Sequence, residues 1–120
     1  MCFKPSATEA GDQLGEILKH YEEKNVQFII RTKDENAAIP FIHTVVSNMR
    51  CMILKVEKLG NIISVGSDSD NDKAGFNFTK SNINKVEVDD TFFPGEVSRI
   101  QAAYEVHCKD GTMIEIDVLE

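Results

Sequence analysis

The sequence has little positive charge and no run of even three consecutive basic residues. Lys and Arg number 13 against 20 Asp and Glu, so the formal net charge is −7. Non-specific binding to nucleic acid depends on Lys and Arg side chains that neutralise phosphates, and anionic membrane surfaces repel an acidic protein. No stretch approaches the ~18 apolar residues of a membrane span. We therefore predict no nucleic-acid partner and no membrane partner.

Cysteine is also scarce, because the chain has only Cys2, Cys51 and Cys108. An odd number of widely spaced cysteines does not indicate a disulfide framework. No basic segment followed by an apolar run marks a secretory signal peptide. The pattern predicts reduced thiols and a cytoplasmic location. Cys51 and Cys108 adjoin predicted strands, where we expect small buried hydrophobic side chains.

The usual short signatures of catalysis and cofactor binding are absent. There is no Gly-x-Ser-x-Gly nucleophile elbow, no phosphate-binding loop, no dinucleotide fingerprint and no Cys-x-x-Cys pair. His20, His43 and His107 lie far apart in the sequence, whereas zinc motifs space their ligands tightly. The sequence thus predicts no cofactor and no metal.

What the sequence does contain is one amphipathic helix near its start. Ser6 and Glu9 have the spacing of a capping box, and the following apolar residues recur every three or four positions. These predict a helix over residues 7–24, preceded by a loose terminus at residues 1–5. The predicted apolar stripe consists of Leu14, Ile17, Leu18 and Tyr21.

After residue 25 the composition favours strands. Ile and Val together number 22 against 5 Leu, and β-branched side chains pack well on pleated sheets. Residues 26–32 alternate as a first strand. Residues 37–49 fit a helical spacing or an extended segment, and their β-branched content favours the extended one. The predicted fold class is α+β, a single domain over 1–120 in which the N-terminal helix packs on a curled antiparallel sheet or small barrel of six to seven strands joined by tight hairpins.

Side-chain parity predicts the register of three hairpins, because a slip of one residue turns each apolar face outward. The loops are Gly60-Asn61, residues 80–82 and residues 109–111, with Gly111 left-handed. The last hairpin leaves a polar outer face that we expect in solvent, formed by Glu105, His107, Glu115 and Asp117. The predicted pairs are Val56 with Val65, Phe76 with Val86, Val106 with Ile114, and Tyr104 with Ile116.

Two segments carry the candidate contact residues. Asp68, Asp70 and Asp72 alternate like the start of a calcium loop, but Lys73 stands where that loop needs Gly and Thr79 where it needs a bidentate Glu. We interpret this segment as a solvated acidic loop with at most weak cation binding. The adjacent aromatics Phe92 and Phe93, before Pro94 and Gly95, either close the open end of the sheet or form the ligand or partner contact. The second interpretation follows because exposed apolar residues mark interaction sites.

The leading functional hypothesis is a non-enzymatic protein-interaction module whose acidic surface attracts a basic protein partner, for example an inhibitor or immunity-type protein. A second hypothesis is a small-molecule or lipid binder with its site between helix and sheet. A third is an enzyme with a composite site. An unpaired sheet edge would also allow a homodimer. The predicted lining of the small-molecule site is Leu14, Leu18, Phe76, Phe78 and Tyr104.

Overall fold

The computed structural model describes residues 2–33, 41–45, 52–53, 55–66, 75–89 and 100–119. This part of the chain forms one α-helix, nine strands and a single 3-10 turn, which confirms the α+β class. The elements in chain order are α1 (Ala10–His20), β1 (Asn25–Lys33), β2 (Phe41–Val45), β3 (Met52–Ile53), β4 (Lys55–Leu59), β5 (Ile62–Gly66), β6 (Gly75–Thr79), the 3-10 turn (Lys80–Asn82), β7 (Ile83–Val88), β8 (Ile100–Cys108) and β9 (Met113–Leu119).

Helix α1 buries its predicted stripe but is shorter than residues 7–24. It begins at Ala10, because Glu9 is the extended N-cap residue and makes no side-chain capping bond. The predicted capping box is therefore wrong. Glu16 in the second turn instead accepts hydrogen bonds from the main-chain N–H groups of Ser6 and Ala7, at 2.8 and 3.2 Å. These bonds lower the pKa of Glu16, the bond from Ala7 first and that from Ser6 next.

The strands form two antiparallel sheets rather than one. The larger sheet has the order β2-β1-β9-β8-β7, with β3 also paired to β1, and the smaller has the order β4-β5-β6. The larger sheet is open, so the barrel alternative does not form among the described strands. Strand β2 confirms the extended interpretation for Phe41–Val45. The rest of residues 37–49 lies outside the described residues.

Two of the three predicted hairpins are confirmed in register. Val56 pairs with Val65 across the Gly60 turn, and Val106 pairs with Ile114 across the last turn. Gly60 and Gly111 both have positive φ, at 59° and 93°. In each hairpin the register that forms is the one that buries apolar residues on both strands, because a slip by one residue would turn them to solvent.

The predicted hairpin between residues 75–79 and 83–89 is wrong. Strand β6 pairs back onto β5, with Phe76 opposite Val65. Strand β7 belongs to the larger sheet and pairs with β8, with Val86 opposite Val106. The 3-10 turn Lys80–Asn82 carries the chain from one sheet to the other. Val86 faces an apolar residue in either pairing, Phe76 in the predicted one and Val106 in the observed one, so side-chain parity did not discriminate between them.

One hydrophobic core joins the helix and both sheets, so the described residues form a single domain. Phe28 of β1 and Phe78 of β6 lie with ring centroids 6.3 Å apart, which joins the two sheets. The fully buried members of this core include Leu14, Ile17, Leu18, Val26, Phe28, Ile63, Tyr104, Val106, Ile116 and Val118.

The segment before the helix is tied to this core, contrary to the predicted loose terminus. The main-chain N–H of Phe3 donates to the Tyr21 hydroxyl at 3.1 Å, and the Tyr104 hydroxyl donates to the Phe3 carbonyl at 2.6 Å. The two hydroxyls lie 3.2 Å apart, which closes the network. Buried polar groups are costly unless paired, and here each finds a partner in the N-terminal segment.

Candidate functional site

The sequence-predicted contact residues lie outside the described part of the chain. This holds for Phe92 and Phe93 and for the acidic triplet Asp68, Asp70 and Asp72. Their roles stay predictions.

The described residues that do come together are polar side chains on the outer face of the larger sheet. Alternation along a strand turns every second residue away from the core, and the register aligns those residues across three strands. Glu87 of β7 lies opposite Glu105 of β8, and Glu105 lies opposite Glu115 of β9. We call Glu87, Asp89, Glu105, Glu115 and Asp117 the acidic face.

A more basic row runs beside the three glutamates. Lys85 lies opposite His107, His107 opposite Met113, and Met113 opposite Arg31 of β1. Lys85 Nζ is 2.8 Å from Glu87 Oε1, and Arg31 Nη2 is 3.6 Å from Glu115 Oε1. The outer two glutamates thus have cationic partners, while the central one, Glu105, is nearest to His107.

The acidic face is less exposed than the sequence predicts. Asp117 retains only 3% of its surface accessible, and the side chains of Glu105 and Glu115 retain 30% and 19%. The prediction of solvent on this side is therefore wrong for Asp117. Like charges opposite each other on neighbouring strands destabilise a sheet, and partial burial strengthens the repulsion because water screens it less.

The pKa values of two carboxyl groups on this face are shifted in opposite directions. Burial raises the pKa of Asp117 to about 7, with further contributions from the charge and hydrogen bond of Glu115 and the charge of Asp89. Gln27 Nε2 donates to Asp117 Oδ2 at 3.5 Å. On Glu87 the hydrogen bond and charge of Lys85 lower the pKa. The acidic face thus combines a carboxyl whose pKa is raised to near neutrality, that of Asp117, with one whose pKa is lowered, that of Glu87.

His107 lies at the centre of this arrangement. Its Nε2 atom is buried and makes no hydrogen bond to the described residues. It is 3.4 Å from Glu105 Oε2 and 3.7 Å from Glu87 Oε2. Two sets on this face bring three ligand atoms within 4.8 Å of one another and could hold a metal ion: Glu87, Glu105 and His107, and the all-oxygen set Asp89, Glu105 and Glu115.

A cavity of about 180 Å³ lies away from the acidic face, where β6 approaches the β8–β9 turn. Ile30, Phe78 and Ile114 supply apolar lining, and Asp110 and Thr112 supply polar lining. It shares only Phe78 with the small-molecule lining predicted between helix and sheet. In that predicted lining, Leu14, Leu18 and Tyr104 are buried in the packed core, and the side chain of Phe76 lies outside the described part of the chain.

Cys108 also lines this cavity and is a free, half-buried thiol. Burial raises its pKa, and the charge of Asp110 raises it further. The thiolate is the nucleophilic form, so these surroundings disfavour reactivity of Cys108, which is half-buried and not fully buried as predicted. Cys2 is likewise free, and Cys51 lies outside the described residues.

The sequence predicted the outer-face residues of β8 and β9 but not Glu87 near the end of β7 or Asp89 directly after it. The predicted residues are Glu105, His107, Glu115 and Asp117. Residues 83–89 were predicted to pair with the strand that precedes them. With that partner, Glu87 is not expected to lie opposite Glu105. The alternation of Val86 and Val88 with charged neighbours was the available signal, but it does not tell which strand lies alongside.

No protein family, curated protein or solved structure matches this chain. Among the described residues, no helix has the length and apolar character needed to cross a bilayer.

Proposed function

We propose that the protein is a non-enzymatic interaction module that binds a positively charged protein segment on its acidic face. The observation that carries the proposal is the row of three glutamates directly opposite one another on β7, β8 and β9. Such a row opposes folding of the sheet, and a cationic partner would relieve the repulsion. An inhibitor or immunity-type protein that covers a basic site on its target is one form of this function.

Arginine is the side chain that this face suits best. Its planar guanidinium can donate to two carboxylates in a fixed geometry, and neighbouring strands about 4.8 Å apart place successive glutamates at a spacing such a fork can bridge. The partial burial of Glu105 and Glu115 reduces screening by salt and water. The net charge of −7 adds long-range attraction for a basic partner.

The test compares binding of an oligo-arginine peptide to two variants with equal net charge. One variant, Glu87→Gln with Glu105→Gln and Glu115→Gln, neutralises the row of glutamates. The control, Glu9→Gln with Glu23→Gln and Glu57→Gln, neutralises three exposed glutamates elsewhere. We expect the dissociation constant of the first variant to rise about tenfold or more and that of the control to change little. Circular dichroism checks that both fold.

Equal weakening in the two variants would overturn the proposal, because it would show that only net charge attracts the peptide. Equal binding by the first variant and the unchanged protein would do the same. Edge pairing of two copies through β2 or β7, the end strands of the larger sheet, stays a prediction that sedimentation can check.

The cavity favours a second candidate function, the binding of a compact small molecule. At about 180 Å³ it is below the ~300–1,000 Å³ of drug-sized sites, so it suits a ligand no larger than benzylamine. The aromatic ring would contact Ile30, Phe78 and Ile114, and the amine would face Asp110, whose pKa is lowered chiefly by the hydrogen bond from the Thr112 main chain. Titration with benzylamine should give saturable NMR shifts confined to these residues, and unsaturable or scattered shifts would reject this site.

A further inference from the structure

We propose that Glu87, Glu105 and His107 form a binding site for one divalent transition-metal ion, for which Zn²⁺ is the appropriate probe. The three residues come from the adjacent strands β7 and β8. The site shares Glu87 and Glu105 with the acidic face, but the inference does not rest on the proposed function, since it requires these three side chains and no protein partner.

The two separations from His107 Nε2 to the carboxylate oxygens are close to those between ligands of a single metal ion. His107 Nε2 lies 3.4 Å from Glu105 Oε2 and 3.7 Å from Glu87 Oε2. Zinc binds nitrogen and oxygen at about 2.0–2.2 Å with tetrahedral angles, which places neighbouring ligand atoms about 3.3–3.6 Å apart. Hydrogen bonds between nitrogen and oxygen are shorter, at about 2.7–3.2 Å. These distances suit two ligands of a shared cation better than a direct hydrogen bond.

The second observation is the state of His107 Nε2 itself. The imidazole retains 26% of its surface. This nitrogen atom is buried and makes no hydrogen bond of good geometry to the described residues, although it lies within ion-pair distance of both carboxylates. A buried polar atom without a partner is destabilising. A metal ion held between the imidazole and the two carboxylates would supply the missing interaction. This separates the His107 set from the neighbouring all-oxygen set, to which no such atom points.

The carboxylates are oriented to leave one oxygen each for the ion. Lys85 engages Oε1 of Glu87, so that Oε2 is the oxygen that faces His107. Glu105 likewise presents Oε2. Paired β-strands hold such side chains more precisely than loops do. A nitrogen ligand with two carboxylates suits zinc and its neighbours, whereas Ca²⁺ and Mg²⁺ prefer oxygen ligands alone. Three protein ligands leave a further position open.

Lys85 provides a variant that should strengthen binding. Its ammonium group places a positive charge beside Glu87, which opposes the approach of a divalent cation. The side chain is 55% exposed, so Lys85→Gln removes this repulsion with little effect on folding. We expect this variant to bind Zn²⁺ more tightly than the unchanged protein does.

The experiment measures Zn²⁺ binding by calorimetry on chelator-treated full-length protein. We expect one ion per chain, a loss of affinity of at least about tenfold in Glu105→Gln and in His107→Gln, and no change in the matched controls Glu57→Gln and His20→Gln. NMR of the imidazole nitrogens should show a Zn²⁺-dependent shift at His107 and none at His20. Zn²⁺ should also raise the melting temperature of the unchanged protein, a readout that needs no variant.

The inference is overturned if the unchanged protein takes up no Zn²⁺. It is also overturned if His107→Gln binds Zn²⁺ as tightly as the unchanged protein, or if His20→Gln loses binding equally. Failure of the oligo-arginine test with Zn²⁺ binding retained would reject only the proposed function. The reverse result would reject only the metal site.

Discussion

Asp117 is a buried carboxyl group that lies beside other carboxyl groups. Only 3% of its surface is accessible, and its neighbours include the carboxylate of Glu115. Burial, Glu115 and Asp89 raise its pKa to about 7, and the charge of Arg31 acts in the opposite direction. Near neutral pH this group is therefore divided between a neutral form, which the sheet accommodates, and an ionised form, which burial and its neighbours disfavour.

We predict that Asp117→Asn stabilises the protein at pH 8 by about 1–3 kcal/mol. The folded pKa of about 7 exceeds the ordinary value of 3.8, so the folded state holds the proton more tightly than the unfolded chain. The stability that the protonated Asp117 carboxyl contributes is fully present below pH 3.8 and is lost as the pH rises through 7. Asn does not titrate, so its advantage should disappear near pH 4. Urea unfolding of both proteins at several pH values measures the difference in their free energies of unfolding.

Parallel pH profiles for the two proteins would contradict this prediction. Glu57→Gln serves as the control, because it removes a carboxyl from an exposed strand position without touching the acidic face.

At the scale of elements, α1 lies close to the chain that links the two sheets. A Cβ atom at Gly11 would stand 2.8 Å from the Cβ of Lys80 and 2.9 Å from its carbonyl oxygen. At Gly15 the nearest atoms belong to the end of the Lys58 side chain, at 2.7 and 2.9 Å. The helix can approach the 3-10 turn only because residue 11 has no side chain.

We predict that Gly11→Ala destabilises the protein by about 1–3 kcal/mol, although Ala favours helix by about 1 kcal/mol. The clash with main-chain atoms of Lys80 forces a shift of the helix or the turn. Gly15→Ala is the matched control, since the flexible end of Lys58 can move aside. We expect this control to be neutral or slightly stabilising. Chemical unfolding of both variants measures the difference, and a stabilised Gly11→Ala would show that the two elements are not held so closely.

At the scale of the whole molecule, the smaller sheet depends on the same core as the larger one. Ile63 of β5 is fully buried, as are Tyr104 of β8 and Leu14 of α1. A shared core predicts that the two sheets unfold together. Tyr21 and Tyr104, the two tyrosines of the chain, lie outside the smaller sheet and report on the helix and the larger sheet.

We predict that Ile63→Ala destabilises the entire domain by about 2–5 kcal/mol. Tyrosine fluorescence and far-ultraviolet circular dichroism should shift to the same lower midpoint. Ile62→Ala is the control, because Ile62 adjoins Ile63 on β5 but is 43% exposed. A variant in which the tyrosine signal keeps its original midpoint would show that the smaller sheet unfolds separately.

The sequence by itself determined the α+β class, the buried stripe of α1 and the registers of the β4–β5 and β8–β9 hairpins. Short turns allow only a few registers, and alternation of apolar residues selects the one that buries both faces. The acidic outer face of β8 and β9 also followed from this alternation.

Only the tertiary structure decided which strands lie side by side beyond the two tight hairpins. Strands of similar aliphatic composition present similar faces to one another, and local periodicity carries no information about the partner. The pairings of β1 with β9, β6 with β5 and β7 with β8 therefore depended on the shared core. The pairing of β7 with β8 brought Glu87 beside Glu105 and His107. The candidate site therefore depends on packing across the whole domain, which determined the neighbour of β7, and not on the turn that precedes β7.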